Sequence, residues 1–320
     1  MSALTKEPDW STITDQELAA VADAANRRVS SRAARLFTGF PDRRAEITWQ
    51  EVALPDRVLR VRVHRPSKHV GGDALPLVLH VRGGGFAGTA VQCDWVNSHL
   101  AARLPALVVS VEHRLLAPGT PLADLVDDGW DVLRHVVRHA GRWGVDPARI
   151  AVVGESTGGL VVASAAIRAR ELGLPLRAQV LVNPALDVSG TAMDHASMVE
   201  HADSPTLTAA RMRFFLRLSV PPGTDPLPLS PLRVDDLSGL APALVVVPTI
   251  DPVADHGRRY AERLREAGTP ARLTEHRGAT HAFLSMPNLV PQAKAARAEI
   301  AGFLRTHLTT GVATTPLGGH

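Results

Sequence analysis

Arg149-Ile150-Ala151-Val152-Val153-Gly154-Glu155-Ser156-Thr157-Gly158-Gly159-Leu160-Val161-Val162-Ala163 decides the fold. Residues 149–153 form a short, apolar, β-branched run, which reads as a buried strand. From Gly159 to Arg170 the residues are small and apolar over a length that suits a buried helix. Between them, Gly154-Glu155-Ser156-Thr157-Gly158 has the spacing of a strand-to-helix turn that lifts a serine hydroxyl clear of the backbone. Glycine is needed at 154 and 158 because a side chain at either would collide where strand and helix pass close together. The turn itself also requires unusual backbone angles. An ordinary Gly/Ser turn has the same letters, so the reading rests on what surrounds it.

The surroundings are those of a large α/β domain with an insertion. The 320 residues are 45% hydrophobic and 21% charged, a globular balance. Formal net charge is only +3, and lysine occurs only as Lys6, Lys68 and Lys294, so the cations are nearly all arginine. Arg27, Arg28, Arg32, Arg35, Arg43 and Arg44 cluster, but Asp42 and Glu46 interrupt them. A solvated face is expected there, with no nucleic-acid partner and no stable membrane insertion. Cys93 is the only cysteine, which excludes an internal disulfide; it reads as a small packed residue. The first ten residues carry Lys6, Glu7 and Asp9 and no apolar core, unlike a signal peptide. No apolar run approaches the length of a membrane span, so a cytoplasmic location is expected.

Strand and helix signals alternate along the chain. Thr14-Asp15-Gln16-Glu17 is a capping box opening a helix towards Phe37. Strands are expected at 47–54, 57–64, 75–81, 106–112, 150–153, 178–182, 243–247 and 271–275. Helices are expected at about 93–103, 122–139, 207–218, 253–267 and 291–307. This alternation predicts a mostly parallel eight-stranded sheet with helices on both faces. The proline-rich stretch at about 185–240 breaks the rhythm and reads as an insertion over the C-terminal edge of the sheet. The tail, 309–320, has little packing signal and is expected to be flexible.

A serine hydroxyl is a weak nucleophile and needs a base, which in turn needs an orienting acid. On a sheet of this kind the chain order is Ser, then acid, then His. Asp251, in Thr249-Ile250-Asp251-Pro252, follows one of the last strands, and His281, in Gly278-Ala279-Thr280-His281, follows the next. Order and place make Ser156, Asp251 and His281 the candidate catalytic residues. Asp255 is the alternative acid, with Asp251 then a helix cap. Arg82-Gly83-Gly84-Gly85-Phe86 follows the strand at 75–81, and its glycines leave backbone N–H groups open to a ligand. The N–H groups of Gly83, Gly84 and Thr157 are the candidate oxyanion donors. His135 and His139 have the i, i+4 spacing of a zinc helix, but the accompanying Glu is missing, and no metal is expected.

With these residues in place, the chain resembles the hormone-sensitive-lipase-like branch of the α/β hydrolases, the bacterial family IV esterases. The matching pieces are Gly83-Gly84-Gly85-Phe86, Arg114-Leu115 with Ala117-Pro118, Asp146-Pro147 with Arg149-Ile150, Gly154–Gly159, Asn183-Pro184 with Asp187, Asp251-Pro252 with Asp255, and His281-Ala282-Phe283. The resemblance implies an α/β-hydrolase fold over 46–308, with a helical cap from residues 1–45 and the insertion at about 185–240. It implies a small-molecule ester substrate, no cofactor, and pairing of two copies through the sheet edge. Two departures fall beside the glycine loop: Arg82 stands where the family has histidine, and His113 where it has tyrosine. Arg82 is therefore either a contact for an anionic substrate or the partner of a structural acid. Phe86, Phe214 and Phe215 are candidate substrate contacts; Met193, Met198 and Met212 fit a pocket wall or helix packing equally well. The expected reaction is hydrolysis of small to medium carboxylic esters through an acyl-enzyme on Ser156. An amidase or deacetylase, a lyase on the same triad, and a pure binding protein are the alternatives.

Overall fold

Residues 8–68 and 72–309 are described in a computed structural model of the protein. Eight strands build one sheet: β1 (Ala45–Ala53), β2 (Val58–Pro66), β3 (Leu75–Val81), β4 (Leu107–Val111), β5 (Val145–Glu155), β6 (Ala178–Val182), β7 (Ala243–Ile250) and β8 (Ala271–Thr280). Their spatial order is β1-β2-β4-β3-β5-β6-β7-β8. The β1–β2 and β2–β4 pairings are antiparallel and all the others are parallel. Every residue of β3, β4 and β6 is buried, as expected of parallel strands covered on both faces.

The helices are α1 (Asp15–Ser30), α2 (Arg35–Thr38), α3 (Asp94–Arg103), α4 (Leu122–Arg138), α5 (Ala140–Trp143), α6 (Thr157–Glu171), α7 (Ala196–Glu200), α8 (Ala209–Ser219), α9 (Ala254–Glu266) and α10 (Gln292–Leu308). Alternation along β3 splits the core. Leu77, Leu79 and Val81 pack with Leu125 and Leu133 of α4 and Leu160 and Val161 of α6. Val78 packs on the other face, with Leu100 of α3 and Ile300 and Leu304 of α10.

The expected elements are found; β8 runs on to Thr280, α5 is additional, and three further differences shape the surroundings of the serine turn. The first helix stops at Ser30, short of Phe37. Ser31 turns to extended backbone (ψ 151°), and its hydroxyl accepts from Ala34 N–H at 3.1 Å, starting a separate short turn. That turn ends at Gly39 (φ +80°), where a Cβ would sit 2.4 Å from the Trp95 ring. The strand before the serine turn begins at Val145 rather than at residue 150, and its register against β3 shifts between the Leu75–Val145 and Leu77–Ile150 pairs. The insertion between β6 and β7 carries α7 besides the expected α8, which Thr208 caps by accepting from Arg211 N–H at 3.1 Å. Of the expected flexible tail, all but Thr309 lies outside the described residues.

Candidate active site

The turn between β5 and α6 is forced by close packing. Ser156 holds φ +53° and ψ −117°, a conformation that costs a side-chain-bearing residue on the order of 1–3 kcal/mol. A Cβ at Gly154 would lie 2.1 Å from the Gly158 carbonyl oxygen, and one at Gly158 would lie 2.1 Å from that of Val81. The strained serine is pinned by the next strand: its N–H donates to Val182 O at 2.9 Å. The first residue of α6, Thr157, presents an N–H with no acceptor inside its own helix.

Two loops deliver the other groups. His281 follows β8 just before Ala282, a left-handed residue (φ +59°). Its Nε2 lies 2.8 Å from Ser156 Oγ and its Nδ1 2.8 Å from Asp251 Oδ2. The carboxylate beside Nδ1 selects the tautomer with N–H at Nδ1 and a lone pair at Nε2 facing the serine hydroxyl. Asp251, at the end of β7, is fully buried, and its Oδ1 accepts from Val253 N–H at 3.0 Å. The alternative acid is engaged elsewhere: Asp255 takes Arg258 Nη1 at 2.9 Å and Ser197 N–H at 2.9 Å. Hydrogen bonds from those two groups pull the Asp255 carboxyl below its ordinary value, against the opposing effect of burial.

The glycine loop lies across the turn. Gly83 packs against it, since a Cβ there would sit 3.2 Å from Glu155 O and 3.3 Å from Ser156 Cβ. Gly84 needs its φ of +94°, and a Cβ there would meet Ala87 O at 2.0 Å. Arg82 does not line the cleft beside Ser156, which favours the second of the two sequence readings. It is fully buried beneath the loop. Its Nη1 donates to the carbonyls of Gly83 (3.2 Å) and Gly84 (3.0 Å), and its Nη2 donates to that of His113 (3.1 Å). Glu112 Oε1 lies 3.5 Å from Nη2, the structural acid of the other reading. The two unusual residues are thus in contact. Burial and then the Arg82 charge push the His113 imidazole down to about 3, so it stays neutral. Its single N–H belongs on Nδ1, 2.6 Å from Arg114 O.

Ser156, Thr157, His281 and Gly83–Gly85 open on a cleft of about 300 Å³. Phe86, Leu207, Met212, Phe215 and Met286 supply apolar wall, and Ala25 and Val29 of α1 complete it. Phe215 and Met212 therefore line the cleft, whereas Phe214 stands behind it. Phe214 packs on Trp10 and Phe86 with ring centroids 5.2 and 5.3 Å away. Met198 is buried in the core and Met193 packs against it. Sequence reasoning missed Trp10, whose ring also lies 5.3 Å from Phe86; a lone tryptophan ahead of a capping box gives no sign of this role. It also missed Arg211 over the Trp10 and Phe86 rings, at 5.5 and 5.2 Å.

Comparison with known proteins agrees with this architecture. A family model for the alpha/beta hydrolase fold matches residues 78–285. Esterase LipI of Mycobacterium tuberculosis is 33% identical over 246 residues, 75% of this chain and 75% of the relative. Carboxylesterase NlhH of the same species is 38% identical over 242 residues, 73% of each chain. Among solved structures, an ester hydrolase from the metagenome of Lake Arreo, complexed with a derivative of bipyridine phosphonate, superposes with a TM-score of 0.82 at 32% identity. That match covers 94% of this chain and 93% of the other. The chain belongs to the α/β-hydrolase family, in its hormone-sensitive-lipase-like branch.

Proposed function

We propose that the protein is a carboxylesterase-type serine hydrolase acting through an acyl-enzyme on Ser156. The observation that carries this is the unbroken line of hydrogen bonds from Ser156 Oγ through the His281 ring to Asp251, 2.8 Å at each step. Ser156 Oγ attacks the ester carbonyl while His281 Nε2 takes its proton, and Asp251 stabilises the imidazolium. His281 then protonates the departing alcohol. Water, deprotonated by the same nitrogen, releases the acid and restores the serine.

The oxyanion donors follow from how Arg82 holds the loop. In a trans peptide C=O and N–H point opposite ways. Anchoring the Gly83 and Gly84 carbonyls on Arg82 therefore turns the N–H groups of Gly84 and Gly85 away from it, and both residues line the cleft. The Arg82 carbonyl faces the serine turn, where a Cβ on Gly158 would lie 2.5 Å from it, so the Gly83 N–H points elsewhere. Gly84, Gly85 and Thr157 are accordingly the donors in this reading. Gly85 replaces the Gly83 of the sequence reading.

The cleft sits at the low end of the range for small-molecule sites, which suits short to medium acyl chains. Segment α1 and the α7–α8 insertion are the two parts of a cap. Strand β8 is the last in the sheet, the edge through which two copies would pair. No helix among the described residues is long and apolar enough to cross a membrane, and a cytoplasmic location completes the reading. The test compares p-nitrophenyl esters, acetyl to octanoyl, with the p-nitroanilides of the same acids, using quenched-flow mass spectrometry. An ester burst with an acyl group on Ser156 is expected. Faster turnover of the anilides would reassign the enzyme as an amidase, and turnover without an acyl adduct would exclude the mechanism.

A further inference from the structure

A second chemical cluster lies behind the serine turn, and the hydrolase mechanism does not use it. His80 of β3, Cys93 at the start of α3 and Glu155 at the end of β5 are all buried. One ligand atom from each lies within 4.8 Å of the other two. Glu155 is the least well compensated member. Its Oε2 accepts from Ser285 Oγ at 3.2 Å, and its Oε1 has only His80 Nε2 at 3.8 Å and Cys93 Sγ at 3.9 Å. No arginine or lysine among the described residues lies within ion-pair distance of it. A buried carboxylate needs a countercharge.

His80 aims an unsatisfied nitrogen at the same point. Its Nδ1 lies 2.9 Å from Ser110 Oγ, while its buried Nε2 has no hydrogen-bond partner among the described residues. If Nδ1–H donates to Ser110, Nε2 presents a lone pair to the cluster, as metal-binding histidines do with the opposite ring nitrogen fixed. The spacing also fits. Zinc bonds of about 2.0–2.3 Å at tetrahedral angles hold ligand atoms about 3.3–3.6 Å apart. The two Glu155 separations, 3.8 and 3.9 Å, are too long for good direct hydrogen bonds but close to that value.

We propose that His80, Cys93 and Glu155 bind one divalent ion of the zinc class. The mixed nitrogen, sulfur and oxygen set suits a borderline-soft ion. Glu155 lines the cleft, which gives the ion a way in. On binding, the Cys93 S–H bond breaks, its electron pair forms the metal–sulfur bond and the proton goes to solvent. Thiolate and carboxylate then balance the two positive charges. The ion joins β3, α3 and the serine turn, and so staples the floor of the site without taking part in hydrolysis. This inference is independent of the proposed reaction.

The test uses the full chain, stripped with a chelator and titrated with cobalt(II). Cys93 is the only thiol in the sequence, so a thiolate-to-cobalt charge-transfer band can arise only there, whatever the other histidines bind. One equivalent should produce the band and raise Tm, and the apparent affinity should rise about tenfold per pH unit, as release of one proton requires. Cys93→Ser should abolish the band. Ser110→Ala, which leaves all three ligands in place, should weaken binding about 10–100-fold. Absence of the band in the folded wild-type protein at saturating cobalt would overturn the proposal and leave a plain His80–Glu155 pair. A band unaffected by Ser110→Ala would overturn the assigned histidine geometry.

Discussion

Two clefts differ in size and in lining, and the larger is the poorer candidate for catalysis. The outer one, about 830 Å³, lies against α9 and β8 and is lined by Arg233, Arg258, Arg263, Asp255 and Glu275. Its cations are already engaged: Arg258 meets Asp255 at 2.9 Å and Glu275 at 2.7 Å, Arg233 meets Asp187 at 2.7 Å, and Arg263 donates to the carbonyls of Leu232 and Val234. The partly exposed Arg258 pairs contribute little, Arg233 is held by the buried Asp187, and none of these groups is poised to attack a substrate. The inner cleft, about 300 Å³, has apolar walls, a strained serine and a histidine held by a buried acid. Convergent chemistry, rather than volume, separates a reaction site from a surface hollow.

The largest expected difference between the two is in turnover. Ser156→Ala should lower kcat by about 10⁶ with Tm retained, while Arg258→Ala in the outer cleft should change kcat/KM less than about twofold. Equal losses in steady-state ester assays would erase the distinction. Next, Asp251→Asn should cost about 10⁴ in kcat by favouring the wrong histidine tautomer. Asp255→Asn should leave kcat nearly unchanged, because that carboxylate serves Arg258 and Ser197. Arg82→Gln should lower kcat by about 10²–10³ with little change in KM for neutral and anionic esters alike, if the loop carbonyls it holds set the proposed oxyanion donors and it lies outside the cleft lining. A selective loss on anionic esters would restore the substrate role that its burial denies.

A smaller effect appears in acid. Burial, with Arg82 beside one ring and His195 beside the other, pushes His113 down to about 3 and His256 down to about 4. Both are neutral in the folded protein and protonate near 6.5 when it unfolds, so the unfolded chain binds more protons below that pH. Stability should therefore be full above about pH 6.5 and fall as pH drops from there towards 4. Tm measured across that window should decline, and His256→Asn should flatten the decline. Least of all, Tyr260→Phe should leave stability equal or raise it by about 1 kcal/mol, because the buried Tyr260 hydroxyl has no hydrogen-bond partner among the described residues. Urea titration measures it, and a clear loss would reveal a partner for that hydroxyl.

Much of the inner site was readable before any coordinates. Ser156, Asp251 and His281 each directly follow a strand, and strands carry a period of two and flanking turns that local sequence displays. Gly154 and Gly158 were readable for the same reason, since a close approach admits no other residue. The role of Arg82 was not. Whether it faced solvent or packed inward depended on Glu112 and on the His113 carbonyl, 30 and more positions away in the chain. Trp10 and the packing of Phe214 were hidden likewise, because their contacts join the segment ahead of α1, the glycine loop and α8, whose mutual placement no local pattern encodes. Cys93 read correctly as packed, but the company of His80 and Glu155 emerged only when β3, α3 and β5 were brought together.

A fluorophosphonate transfers its phosphonyl group only to a nucleophile that a neighbouring base has activated. Treated with one and mapped by peptide mass spectrometry, the protein should carry a single adduct, on Ser156, and Ser156→Ala or His281→Asn should carry none. An unlabelled Ser156 in folded protein, or labelling that persists without His281, would contradict the assignment of this serine as the attacking group.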